Sequence, residues 1–214
     1  INRDNTGDSP LNFTSGDIFI IQNGHTMTNT ATWSVSGENS KVQIESGGIL
    51  QSDFAITLSS STTFQIDNGG TYIHNNTGAY ASTILQAGTR TFGESSNFII
   101  KISESTMGDI PSTTFGNLEI NFSGSQSSDV NFNAEVTTVQ GDFKITSTNG
   151  KKFALTNHLK GLIFNIEGNV EINGGTFYFA DGNSTTYRTY ILNVSKNFTQ
   201  SGGTFGHNND YSDA

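Results

Sequence analysis

The chain repeats itself, and that restricts its fold more than any other feature. Residues 42–50 read VQIESGGIL and residues 64–72 read FQIDNGGTY. At this offset of 22 each position is identical or similar in kind, except Ile49 against Thr71. An earlier copy, IIQNGHTM at 20–27, fits at an offset of 23, with Gly24 under Gly47. Later, LIFNIEGNVEINGGTF at 162–177 lies over YILNVSKNFTQSGGTF at 190–205, with seven of sixteen positions identical at an offset of 28. Between these, GNLEI, GDFKI and GNVEI begin at Gly116, Gly141 and Gly168, 25 and 27 residues apart. Residues 78–112 fit poorly and are read as a rung carrying an irregular loop.

Each copy alternates with a period of two. Val42 and Ile44 flank Gln43, Leu118 and Ile120 flank Glu119, and Val170 and Ile172 flank Glu171. Such alternation makes a strand with one buried face. A strand–turn–strand unit of 22–28 residues cannot bury that face alone, but stacked copies can. The expected fold is therefore all-β: one right-handed parallel β-helix over residues 1–214, of roughly eight or nine coils. A β-sandwich is the alternative, although Greek-key pairing gives no reason for such local repetition. The recurrent SGGI, NGGT and GGTF phrases are corners, because glycine reaches φ > 0 without a Cβ clash. A phosphate loop would need a following helix N-terminus, and no helical stripe is visible.

Composition agrees with this architecture. Only 33% of residues are hydrophobic, yet 16 Phe and 6 Tyr set the chain apart from a disordered one, and 24 Gly with 24 Asn supply many tight turns. A net charge of −9 argues against nucleic acid as a partner. No apolar run approaches the ~20 residues of a membrane-spanning helix, so membrane insertion is not expected. Cysteine is absent, which removes disulfides and thiol chemistry and is compatible with an oxidising exterior.

FGNLEINFSGS at 115–125, IEGNVEINGGTFYF at 166–179 and VSKNFTQSGGTF at 194–205 resemble the repeats of large secreted bacterial surface proteins with β-solenoid stalks, commonly exported by the type IX secretion system. SGDIFIIQNGHTMT at 15–28 is similar to the opening of such regions. The resemblance implies an extracellular or cell-surface location and a scaffold or adhesive role. It brings no shared catalytic residues. Both ends, INRDNTGDSP and GHNNDYSDA, are polar, and neither reads as a capping helix. The expectation is an excised part of a longer chain that continues beyond Ala214, with flanking domains of the same chain as partners.

Many β-solenoids cleave polysaccharides, so an active site must be sought. A lyase needs a basic residue and carboxylates for calcium; a hydrolase needs clustered carboxylates. Arginine occurs only at Arg3, Arg90 and Arg188. Glu45, Asp67, Glu119 and Glu171 fall at outward positions, one per copy, and read as an acidic stripe along a solvated face. Asp181, Asn183 and Thr185 in DGNST have the spacing of a calcium loop, but the twelfth position is Leu192, where such a loop needs Glu. No cofactor is expected beyond calcium. Trp33, the single tryptophan, reads either as a platform for a sugar or as corner packing. The four histidines read as surface polar residues, with His25, His74 and His207 in turns, and Asp142 with Asn117, Asn169 and Asn197 reads as a turn position tolerant of the left-handed region. Asn165 and Asn193 read as a stacked amide pair. These features favour a non-catalytic extracellular scaffold or adhesion module that presents a face to a glycan or surface. The alternative is a carbohydrate-active lyase or hydrolase with its site in 78–112.

Overall fold

The computed structural model describes residues 15–76, 84–85, 88–103, 113–156, 161–181 and 188–208. It is all-β, and each strand pairing in it is parallel. Successive copies stack as the rungs of a β-solenoid of about seven turns. Each rung presents up to three walls. The second wall is one unbroken eight-stranded sheet: Thr26–Asn29, Ile49–Ser52, Thr71–Asn75, Asn97–Ile102, Asn117–Asn121, Phe143–Ser147, Val170–Ile172 and Phe198–Gln200. Seven steps of roughly 4.8 Å make this stack about 34 Å tall.

The first wall is built from two four-stranded sheets. One holds Ile18–Ile21, Lys41–Ile44, Thr63–Ile66 and Thr89–Phe92; the other holds Thr114–Phe115, Thr138–Val139, Leu162–Ile166 and Tyr190–Val194. The third wall begins with Trp33–Val35 on Ile56–Leu58 and resumes with Val130–Asn131, Lys152–Thr156, Thr176–Asp181 and Thr204–Asn208. Between those parts lie Ile84 and Leu85, two helical residues that are fully buried.

The pairing register reproduces the repeat alignment. Val42 lies opposite Phe64, Ile21 opposite Ile44, and Asn165 opposite Asn193. Within 78–112 only residues 84–85 and 88–103 are described, and the rest of the expected irregular rung lies outside the described residues. Thr89–Phe92 and Asn97–Ile102 pair with the rung before them, and Asn97–Ile102 also pairs with the rung after. Its corner, GESS at 93–96, lacks the glycine pair that marks the two preceding rungs.

Parity builds the core. On the second wall one inward column runs Met27, Leu50, Tyr72, Phe98, Leu118, Phe143, Val170, Phe198. On the third, Phe153, Phe177 and Phe205 stack in turn, with ring centroids 5.8 and 5.3 Å apart. Full burial of each such side chain contributes roughly 1.5–3 kcal/mol.

The glycine pairs are corners, but of two kinds. In SGGI, Gly47 takes φ +76°, and a Cβ on Gly48 would meet the Ile21 carbonyl oxygen at 2.5 Å. That corner joins the first wall to the second. In NGGT at 173–176 the order is reversed: Gly175 takes φ +79°, and a Cβ on Gly174 would lie 2.9 Å from the Thr146 carbonyl. That corner joins the second wall to the third. In each pair one glycine takes the left-handed conformation, and neither position leaves room for a Cβ against the rung below.

A polar ladder climbs the outer edge of the second wall. Asn97 donates to Thr71 Oγ1 (3.3 Å) and Asn117 to Asn97 Oδ1 (3.1 Å). The Asp142 amide donates to Asn117 Oδ1 (2.8 Å), and Asn169 donates to Asp142 Oδ1 through its backbone (2.7 Å) and its side chain (2.9 Å). Asn197 repeats both contacts on Asn169. None of these residues has positive φ, so the left-handed-turn expectation is corrected: they recur because a short amide or carboxylate spans one rung spacing. Asn193 likewise donates to Asn165 Oδ1 at 2.8 Å.

Two predictions follow from parity and from the ladder. Ile172 is fully buried and Glu171 is half-buried on the outer face. Urea denaturation should show Ile172→Asp losing more than about 3 kcal/mol and Glu171→Gln staying within about 0.5 kcal/mol. In the ladder, Asp142→Asn keeps its acceptor oxygen and should cost under about 1 kcal/mol. Asn169→Asp sets a second carboxylate against Asp142 and should cost about 1–3 kcal/mol; equal losses for the pair would contradict the ladder.

Candidate functional site

A cleft of about 580 Å³ opens at the last described rung, lined by Phe179, Arg188, Thr189, Tyr190, Phe205, Gly206 and His207. Its origin lies in parity. Tyr190 lies opposite buried Leu162, and Phe205 opposite buried Phe177, so both hold inward positions. No further described rung covers them, and both rings stay partly exposed. The rings lean together: Tyr190 to His207 at 5.3 Å, Tyr190 to Phe179 at 6.5 Å, and Phe179 to Phe205 at 6.4 Å. Burial pushes the Tyr190 phenol above its ordinary range, while the Arg188 cation pulls the other way. Aromatic faces beside a guanidinium can stack on a sugar ring and bond its polar groups. The described lining holds no carboxylate, so it supplies no acid–base pair for glycoside hydrolysis.

The residues singled out in the sequence do not converge. Trp33 is wholly buried, with its ring edge-on to Phe19 at 5.1 Å, so the sugar-platform reading gives way to core packing. Asp181 ends its strand and pairs with Lys152 Nζ at 3.5 Å. Its proposed companions Asn183 and Thr185 lie outside the described residues. The acidic stripe is also corrected. Glu45 and Asp67 sit at the corner after first-wall strands, and Gln43 and Gln65 both donate to Asp67. Glu119 and Glu171 stand on the second wall with Lys144 between them in register. Among the described residues no three His, Asp or Glu side chains gather as a metal site.

Sequence reading missed the cleft because its parts come from two rungs and three strand ends. It also misplaced His74. Counting by two from inward Tyr72 puts His74 inside, and there it is fully buried. Its Nδ1 lies 3.3 Å from the Tyr72 hydroxyl, and its Nε2 has no hydrogen-bond partner. Burial also pushes the Tyr72 phenol well above its usual range. His158 lies outside the described residues.

No family model, curated protein or solved structure matches this chain.

Burial lowers the His74 pKa from 6.5 to about 3. The unfolded chain therefore takes up this proton first as pH falls, and native stability declines from pH 6.5 toward pH 3. At 1.36 kcal/mol per pH unit, wild type should lose up to about 3 kcal/mol more than His74→Gln between pH 7 and pH 4. Urea titrations of both proteins at the two pH values measure the difference; parallel losses would place an ionised imidazole in the fold.

Proposed function

We propose that the chain is a non-catalytic β-solenoid module of an extracellular scaffold or adhesin, which presents a face to a glycan or surface. The observation that carries this reading is the uninterrupted eight-stranded second wall. Its strands are joined rung to rung by backbone pairing and, over six rungs, by the polar ladder. Such a stack serves as a stiff spacer, because each rung is braced by its neighbours. Among the described residues, Glu45 and Asp67 lie at a corner and Glu119 and Glu171 on a wall, with Lys144 between the latter two. A cysteine-free chain rich in Asn and Gly turns is compatible with an exterior setting.

The test is retention on immobilised neutral and acidic polysaccharides, with unsaturated and reducing ends assayed in the same samples. Binding without product is expected. Metal-dependent release of sugar ends would instead make the chain an enzyme.

A further inference from the structure

The dipeptide Asn–Gly occurs four times in the chain, at Asn23, Asn68, Asn149 and Asn173, and each falls at a corner between strands. In this dipeptide the glycine amide can attack the asparagine side chain, because no Cβ obstructs the approach. In a folded protein the reaction depends on how firmly the two groups are held. At three of the four corners the next rung holds them. The Gly24 amide donates to the Gly47 carbonyl and the Gly69 amide to the Ser95 carbonyl, each at 3.1 Å. Asn68 Oδ1 accepts from the Ser95 amide (3.1 Å), and Asn173 Oδ1 accepts from Ser201 Oγ (2.9 Å). Asn23 Oδ1 fills the space that a Cβ on Gly47 would need.

Asn149 and Gly150 are placed differently. They form the tip of a turn closed by the Lys151 amide on the Thr148 carbonyl (2.9 Å). Asn149 takes φ +50° and Gly150 φ +73°, the two left-handed residues of a type I′ turn. The next rung engages only the feet of this turn. The Thr176 amide donates to Thr148 Oγ1 (2.9 Å), and Thr176 lies opposite Lys152 in register. Both tip residues are exposed, and a Cβ on Gly150 would meet nothing within 4 Å. Among the described residues neither the Asn149 side chain nor the Gly150 amide makes a hydrogen bond.

We propose that Asn149 is a modification site, at which the folded chain converts asparagine to aspartate and isoaspartate without an enzyme. The Gly150 nitrogen, having lost its proton to hydroxide, bonds to Asn149 Cγ. The Cγ–Nδ2 bond breaks, and the side-chain nitrogen leaves as ammonia, closing a succinimide. Water then opens the ring at either carbonyl. Both products add one negative charge to a chain that already carries −9. Isoaspartate also lengthens the backbone by one carbon, at a turn tip on which no described rung rests, so the stack keeps its register. The proposal does not depend on the function proposed above.

The test holds the folded chain, and the same chain in urea, in mildly alkaline buffer. Peptides bearing the four Asn–Gly pairs are followed by mass spectrometry, with isoaspartate separated from aspartate by chromatography. Folding should slow Asn23, Asn68 and Asn173 by at least about tenfold and Asn149 by less than that. The product at Asn149 should be a mixture that contains isoaspartate. The converted chain, isolated by anion exchange, should melt within about 2 °C of the unconverted one. Slowing of Asn149 by about tenfold or more on folding would overturn the proposal. So would equal conversion at all four pairs in the folded chain, aspartate formed without isoaspartate, or a larger fall in melting temperature.

Discussion

Everything in this fold depends on parallel backbone pairing between successive rungs. A strand in the middle of a wall has its N–H and C=O groups satisfied only by the rungs on either side, and only in one register. A slip of one residue would turn the inward columns outward, placing Val170 and Ile172 in water and Glu171 in the core. The aromatic stack on the third wall strengthens that choice, because Phe153, Phe177 and Phe205 overlap only in the native register.

The side chains that join one rung to the next do so by the same spacing. The ladder from Thr71 to Asn197 places a polar group on each rung at the point where the chain enters the second wall. Each hydrogen bond contributes about 1 kcal/mol net, but together they also oppose slippage. Asp142 belongs to this series because its carboxylate accepts from two Asn169 donors without needing a cation. Inside the second corner, buried Asn29 plays a related part: its side chain donates to the Phe54 carbonyl and accepts from the Asp53 and Phe54 amides of the next rung.

Against this consistency, His74 and Arg90 stand out. Each occupies an inward position, and each keeps a buried nitrogen without a partner. Natural sequences depart from the rules of their own fold chiefly at functional or strained sites. His74 is compatible with a neutral ring beside Tyr72. Arg90 cannot become neutral, and it stands where the rungs before it place Phe19, Val42 and Phe64.

The repeat, the two-residue alternation and the glycine pairs were enough to read an all-β parallel solenoid, its rung alignment and its corners, because each of these is a local pattern tied to one strand or turn. The amide pair Asn165–Asn193 was legible for the same reason. Parity could also have placed His74, had the count been carried past Tyr72. Other features were not local. Whether Glu45 shares a face with Glu119 depends on which wall each copy's strand joins, and near-identical phrases lie on different walls. The two glycine pairs look alike in sequence but turn different corners with their roles exchanged. The cluster of Phe179, Tyr190 and His207 forms because chain segments of two rungs meet around the core. Sequence alone determined which side chains alternate and where the chain must bend; tertiary structure decided which of them meet, because that depends on the path of each rung around the core.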